Sequence, residues 1–162
     1  TKQEIDWDTG EIHLARQGLI VGPGFSYERC LSFRWHFKLS QILPGEGPVI
    51  RYAQFRRRRK LLDIVFVVEL IFEDSRLDLI ALSALTYLDG RKWRKHGDER
   101  ETTRKQIHDE WLERHLGPLS PQQYEYCFPW GNVMSVNDPR EETEAYVQIR
   151  YRRTQEESNK RN

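Results

Sequence analysis

Every second residue along Leu62, Ile64, Phe66, Val68, Leu70 and Phe72 is apolar. Successive side chains of a strand point to opposite faces, so this spacing predicts a strand with one buried face. The intervening positions mix Val65, Val67 and Ile71 with Asp63, Glu69 and Glu73, which predicts a second, partly covered face. Such a strand belongs at the centre of a sheet. Glu73-Asp74-Ser75-Arg76 is a polar turn. The following segment, Leu77 to Leu88, fits a helical stripe (Leu77, Ile80, Ala81, Ala84, Leu85, Leu88) as well as a strand (Leu77, Leu79, Ala81). The tight turn favours a hairpin, hence a strand at its start.

The same alternation recurs elsewhere. Phe33, Trp35, Phe37 and Leu39 alternate with Arg34, His36, Lys38 and Ser40, a pattern that predicts a half-buried strand with an aromatic inner face. Strands are also expected at Glu11–Ala15, Val49–Phe55 and Trp130–Val136. The last is expected where Ala145, Val147, Ile149 and Tyr151 alternate with Glu144, Tyr146, Gln148, Arg150 and Arg152. Gly22-Pro23-Gly24, Pro44 to Pro48 and Asn137 to Arg140 read as breaks.

Two helices are expected. Ser26 is placed to cap a short one ending near Ser32, with Phe25 and Cys30 spaced as a hydrophobic staple. A long one begins near Thr102 or Thr103, where Thr103 and Gln106 have capping-box spacing. Ile107, Trp111, Leu112 and Leu116 form its apolar face, and Gly117-Pro118 ends it. Residues 89–101 before it, charged and with two glycines, read as an exposed loop. The fold class is therefore α+β, mainly antiparallel sheet with one long helix in the C-terminal half and a short N-terminal helix. Residues 1–153 form a single domain, and 154–162 read as a polar tail, disordered by composition.

The chain has 162 residues, 38% hydrophobic and 12% aromatic, enough for a real core. Its charges nearly cancel, at net +1, so bulk charge does not mark it as a coat for nucleic acid. No apolar run reaches the ~18 residues of a membrane span. Residues 1–20 carry Glu4, Asp6, Asp8 and Glu11 and no signal-like apolar region, so a cytoplasmic protein is expected. Cys30 and Cys127, without a CxxC pair, read as free thiols, with a Cys30–Cys127 disulfide as the lesser alternative.

Candidate chemistry is sparse. His108 and His115 are seven residues apart on the long helix, about 10 Å along its axis, too far to share one metal ion. Both read as solvated or partly buried, and no metal or cofactor is expected. There is no phosphate-binding glycine loop and no nucleophile elbow, so no catalytic residues are assigned and a non-enzymatic role is expected. Glu69 and Glu73, about 13 Å apart on one strand face, could only begin to frame a cleft. Two sets of charge remain. Asp138, Glu141, Glu142 and Glu144 crowd one turn with no helix end to cap, and suit a basic partner surface. Asp98, Glu99 and Glu101 are explained by the helix dipole. Arg56, Arg57, Arg58, Arg59 and Lys60, then Arg91, Lys92, Arg94 and Lys95 around Trp93, then Arg150, Arg152 and Arg153, are basic; with interleaved aromatics they suit single-stranded nucleic acid, or they simply solvate turns and guard sheet edges.

Five segments carry a resemblance: Ile5-Asp6-Trp7-Asp8-Thr9-Gly10, Val21-Gly22-Pro23-Gly24-Phe25-Ser26, His108-Asp109-Glu110-Trp111-Leu112, Phe128-Pro129-Trp130-Gly131, and Ile149-Arg150-Tyr151. Together they resemble small proteobacterial immunity-type proteins of polymorphic toxin and contact-dependent growth inhibition systems. The resemblance implies a binding protein that neutralises a cognate toxin domain, such as a nuclease, by covering it. It supplies no catalytic residues. The alternative from a different class is a small nucleic-acid-binding module using the basic loops.

Overall fold

The computed structural model describes residues 4–42, 45–86, 97–137 and 144–153. Three short strands, β1 (Ile5–Asp6), β2 (Glu11–Ala15) and β3 (Leu19–Val21), make an antiparallel sheet. A one-turn helix α1 (Tyr27–Leu31) and a 3₁₀ turn (Arg34–His36) lead into β4 (Phe37–Ile42). Then come β5 (Ile50–Phe55), β6 (Arg59–Leu61), β7 (Ile64–Glu73), β8 (Arg76–Ala84), helix α2 (Gly97–Leu116), β9 (Tyr126–Phe128), β10 (Gly131–Val136) and β11 (Tyr146–Tyr151). These eight strands form one antiparallel sheet in the order β4-β5-β7-β8-β11-β10-β9, with β6 paired to the start of β7. The fold is α+β as the sequence predicts, with 64–72 of the alternating run at the centre of the sheet; Leu62 and Asp63, expected in that strand, form the β6–β7 turn instead, Leu62 at φ 61°.

Burial follows the alternation. Phe66, Val68, Leu70 and Phe72 of β7 are fully buried, as are Ile80, Leu82 and Ala84 opposite them on β8. The ambiguous segment after the turn is thus a strand, paired from Glu73–Arg76 to Phe66–Ala84. Val147, Ile149 and Tyr151 of β11 continue the same inner face. Three bodies cover that face. α2 brings Trp111 edge-on to Phe66 at 4.9 Å. α1 brings Tyr27 edge-on to Phe72 at 5.4 Å. The small sheet is tied to the two C-terminal strands of the chain: Tyr151 donates its hydroxyl to Gly10 O (2.7 Å), and Trp130 Nε1 donates to Trp7 O (2.7 Å). Trp7, Phe128 and Trp130 stack in series at 6.1 and 4.9 Å. Gly10 has φ 77°, and a Cβ there would lie 2.5 Å from the Trp130 ring, so only glycine fits beneath the indole.

The cap of α1 is as expected: Ser26 Oγ accepts from Arg29 N, and Phe25 and Cys30 are both buried. Burial raises the Cys30 thiol to about 12, which leaves it inert; Cys127 is exposed, and both are free. Gly117 ends α2 at φ 84°, its N–H reaching Glu113 O.

Several expectations are corrected. The strand expected from Phe33 begins only at Phe37. Ser32, Phe33 and His36 donate backwards to Arg29, Cys30 and Phe33, so the chain keeps winding after α1. The alternation of aromatics there is real, but Trp35 points outward and is 63% exposed. The basic run ends inside a strand, since Arg59 and Lys60 pair with Phe66 and Val65. β1 and β3 have no forecast. The long helix starts at Gly97, five residues before the predicted cap, so residues 97–101 are not loop and Thr103 is interior. His108 is not solvated but completely buried.

The last two corrections share a cause. β8 and β11 pair from Leu79–Arg150 to Leu82–Val147. The same register would set Ala84 against Ala145, but the strands have parted there. Side chains of α2 take over. His108 Nε2 accepts from Ala84 N (2.9 Å), Arg104 Nη1 donates to Ala84 O, and Glu101 Oε2 accepts from Ala145 N (2.6 Å). Glu101 and Arg104 also pair with each other at 3.1 Å. Residues 101, 104 and 108 lie on one helical face, spaced by three and four, and Trp111 follows them into the core. The other end of α2 is held by Asp63, which pairs with Arg114 (2.8 Å) and His115 (2.7 Å). The hydrogen bond from His115, then Arg114, holds the Asp63 carboxyl below its ordinary range.

Two measurements check this frame. Truncating a buried aromatic costs ~3–5 kcal/mol, and each kcal/mol moves the melting point of a domain this size by about 2–4 °C. Trp111→Ala is therefore expected to lower the melting temperature by roughly 10 °C; an unchanged melting curve would place Trp111 outside the core. For His108, burial, then the Arg104 charge, lowers its pKa to about 4, against 6.5 in the unfolded chain. Between those values the unfolded chain binds the extra proton, so stability must fall as pH drops from 6.5 towards 4, by on the order of 3 kcal/mol. Urea midpoints measured across that window should be flatter for His108→Gln, whose amide oxygen can still accept from Ala84, than for the native chain.

Candidate functional site

Positions that alternate with the buried ones form the second face of the sheet. Tyr52 and Gln54 of β5 lie beside Ile71 and Glu69 of β7, which lie beside Leu79 and Ala81 of β8. The ring contacts of α1 and α2 with the sheet and the hydrogen bonds of the small sheet to Tyr151 lie on the inner face, and α2 reaches the outer one through Arg104. A groove of about 650 Å³ runs across it, lined by Tyr52, Glu69, Ser83, Arg104, Glu144 and Tyr146 among others. Its floor is strand, so its side chains are set by a rigid ladder rather than by loops.

The groove is acidic at its centre. Glu69 is half-buried, and burial, then the charge of Glu144, raises its carboxyl above the ordinary range. Arg104 lines the same groove, but its guanidinium is committed to Glu101 and Ala84 O. Glu73 does not join Glu69 as a frame for a cleft: it pairs with Arg153 at 2.8 Å and Arg76 at 3.8 Å, at the far end of the strand. A smaller groove of about 420 Å³ lies between α2 and the segment that precedes β9, with Leu112, Leu119, Tyr126 and Met134 in its walls. Its Lys105 and Asp109 are paired with each other at 2.7 Å, and Glu113 also lines it.

Of the acidic residues picked out in the sequence, Glu144 lies in the groove, exposed; Asp138, Glu141 and Glu142 lie outside the described residues. Of the basic ones, Arg91, Lys92, Trp93, Arg94 and Lys95 also lie outside them, as does the 154–162 tail. Arg56, Arg57, Arg58 and Lys60 are exposed, whereas Arg59 is half-buried and donates to His13 O at 3.4 Å. The basic run is therefore two things: an exposed stretch 56–58, and a part built into the β6–β7 pairing. Tyr52, Gln54, Ser83, Arg104 and Tyr146 have no forecast as a site. The period-two pattern places Tyr52 and Tyr146 on the outer face, but not beside each other's strands, because β5 and β11 are separated by β7 and β8.

Among the described residues no group of three or more His, Cys, Asp or Glu could hold a metal ion. No helix of the described residues is long and apolar enough to cross a membrane. Comparison with known proteins finds no matching family model, no similar curated protein and no similar solved structure.

Glu69 supplies a check on the groove. Its raised pKa means that it holds a proton at a pH where ordinary carboxylates have lost theirs. Removing the Glu144 charge with Glu144→Gln should move the Glu69 titration down, towards the ordinary carboxylate range, as read by carboxyl-carbon NMR. A titration that does not move would separate the two groups.

Proposed function

We propose that this chain is an immunity-type binding protein that neutralises a toxin domain by occupying it, and that the outer face of the sheet is the contact surface. The observation that carries the reading is the acidic groove on the rigid outer face of the sheet. Tyr52 and Tyr146 are large, stiff side chains with a polar tip, the kind that anchors protein interfaces at small entropic cost. Glu144 sits close enough to Glu69 to raise the cost of ionising it. A cationic side chain from a partner would relieve that cost, so a basic surface is favoured over a neutral one. Toxins that cleave nucleic acid carry such surfaces where phosphates bind. The resemblance of the five segments to immunity-type proteins points the same way. Inhibition by occupancy needs a stable scaffold and complementary charge, and no chemistry of its own.

The test is co-expression with the product of the adjacent reading frame, expected on this reading to carry a toxin domain. The native protein is expected to restore growth and to co-purify with the toxin domain. Glu144→Lys should slow association most at low salt, because charges near the edge of a contact act mainly on the on-rate, over a Debye length of about 8 Å at physiological salt. It should leave the melting temperature within about 1 °C, since Glu144 is exposed and single surface charges add little stability. Growth arrest in the presence of the native protein, with no complex recovered, would end this reading.

A further inference from the structure

We propose that the corner of the sheet where Trp35 meets the exposed basic stretch binds single-stranded nucleic acid, by stacking a base on the indole and holding the flanking phosphates with arginines. The placement comes from the backbone. β4 and β5 pair as far as Phe37–Phe55, and Arg56 N then donates to His36 O at 2.9 Å. That bond extends the pairing past the end of β4 and lays the start of the basic run alongside the 3₁₀ turn that carries Trp35. Arg56 Nε donates to Phe37 O at 3.1 Å, which fixes its side chain against the same turn. Arg34, Lys38, Arg57 and Arg58 surround this point, and all are exposed. None of them has a carboxylate partner among the described residues.

Two features here are not explained by edge protection alone. Charges on an edge strand discourage edge-to-edge pairing, and Lys38 on β4 already does that. An indole left 63% exposed beside an edge strand works against it. Trp35 also has no arginine stacked on it among the described residues, although Arg29 and Arg51 stack on Phe33 and Tyr27 nearby in the fold. Its ring neighbour is His36, tilted at 6.1 Å, and most of the indole remains exposed, with Arg34 adjacent in the chain. An acidic peptide would use the cations and leave the indole idle. A duplex would present phosphates but hide its bases. A single strand uses both, since every base offers a π-face and each nucleotide carries a phosphate. This surface uses neither Glu69 nor Glu144, so it stands apart from the toxin-binding reading, and its test needs no toxin.

The experiment is anisotropy titration of a short fluorescent homopyrimidine oligonucleotide with the full chain, at salt from about 50 to 200 mM. The native protein is expected to bind, and to bind the matching duplex more weakly. Trp35→Ala should weaken single-strand binding roughly 5- to 100-fold, the worth of one base–aromatic stack, and Trp35→Phe should restore much of it. Both should melt as the native protein does, because the side chain is exposed. Arg57→Gln with Arg58→Gln should reduce the slope of log affinity against log salt by about 1.4, or ~0.7 for each single-strand phosphate no longer neutralised. No binding at low salt would overturn the proposal. So would equal binding by Trp35→Ala, or polyglutamate competing as well as the oligonucleotide, either of which would leave only a basic patch.

Discussion

Where β8 and β11 part, a helix supplies the missing rung of the ladder. Ala84 has its N–H taken by His108 and its carbonyl by Arg104, while Ala145 across the gap is held by Glu101. A backbone group buried without a partner is costly, so strands this deep in the core can diverge only if something else satisfies them. The three α2 side chains do so from one helical face, and that fixes both the position and the rotation of the helix. Trp111, one turn on, then has only one place to go, against Phe66. With the helix set, the inner face is closed, and Arg104 becomes a wall of the acidic groove on the other one. The groove and the core thus depend on the same substitution of side chain for strand.

Most of what the sequence discloses is local. The β7–β8 hairpin, β11, the cap of α1 and the end of α2 are each written in consecutive residues, as alternation, a serine cap or a Gly-Pro stop. Glu101, Arg104 and His108 look like the wet side of a helix, because their partners are backbone groups some 20 to 44 positions away. The same limit bears on the helix start: residues 97–101 are charged and glycine-bearing, and the tie of Glu101 to Ala145 and Arg104 is not written in their spacing. Phe33 to Leu39 misleads in the opposite direction. Its alternation is a strand signature, yet the first half is claimed by the turn of the preceding helix, so the aromatic expected inside is the one most exposed. In the candidate site only Glu144 and Glu69 are visible beforehand, and neither as a partner of the other, since which strands adjoin is a matter of topology and not of spacing.

Residues from distant parts of the chain meet in space. Trp7 and Gly10, Trp111, Phe128 and Trp130, and Tyr151 make one connected aromatic body, joined by ring contacts of 4.9 to 6.1 Å and two hydrogen bonds to backbone carbonyls. The acidic groove and the Trp35 corner draw on other residues, so substitutions there leave this packing in place.

The clasp between Gly10 and Tyr151 spans 141 positions of sequence. On a ribosome the first three strands emerge early, but the hydroxyl and the indole that anchor them arrive with almost the last residues of the domain. Until then the small sheet lacks these anchors. Closing so long a loop comes late in folding, because its entropy must be lost before its contacts form. The apolar side chains of β2 and β3 are consequently the ones most in need of protection until Tyr151 is in place.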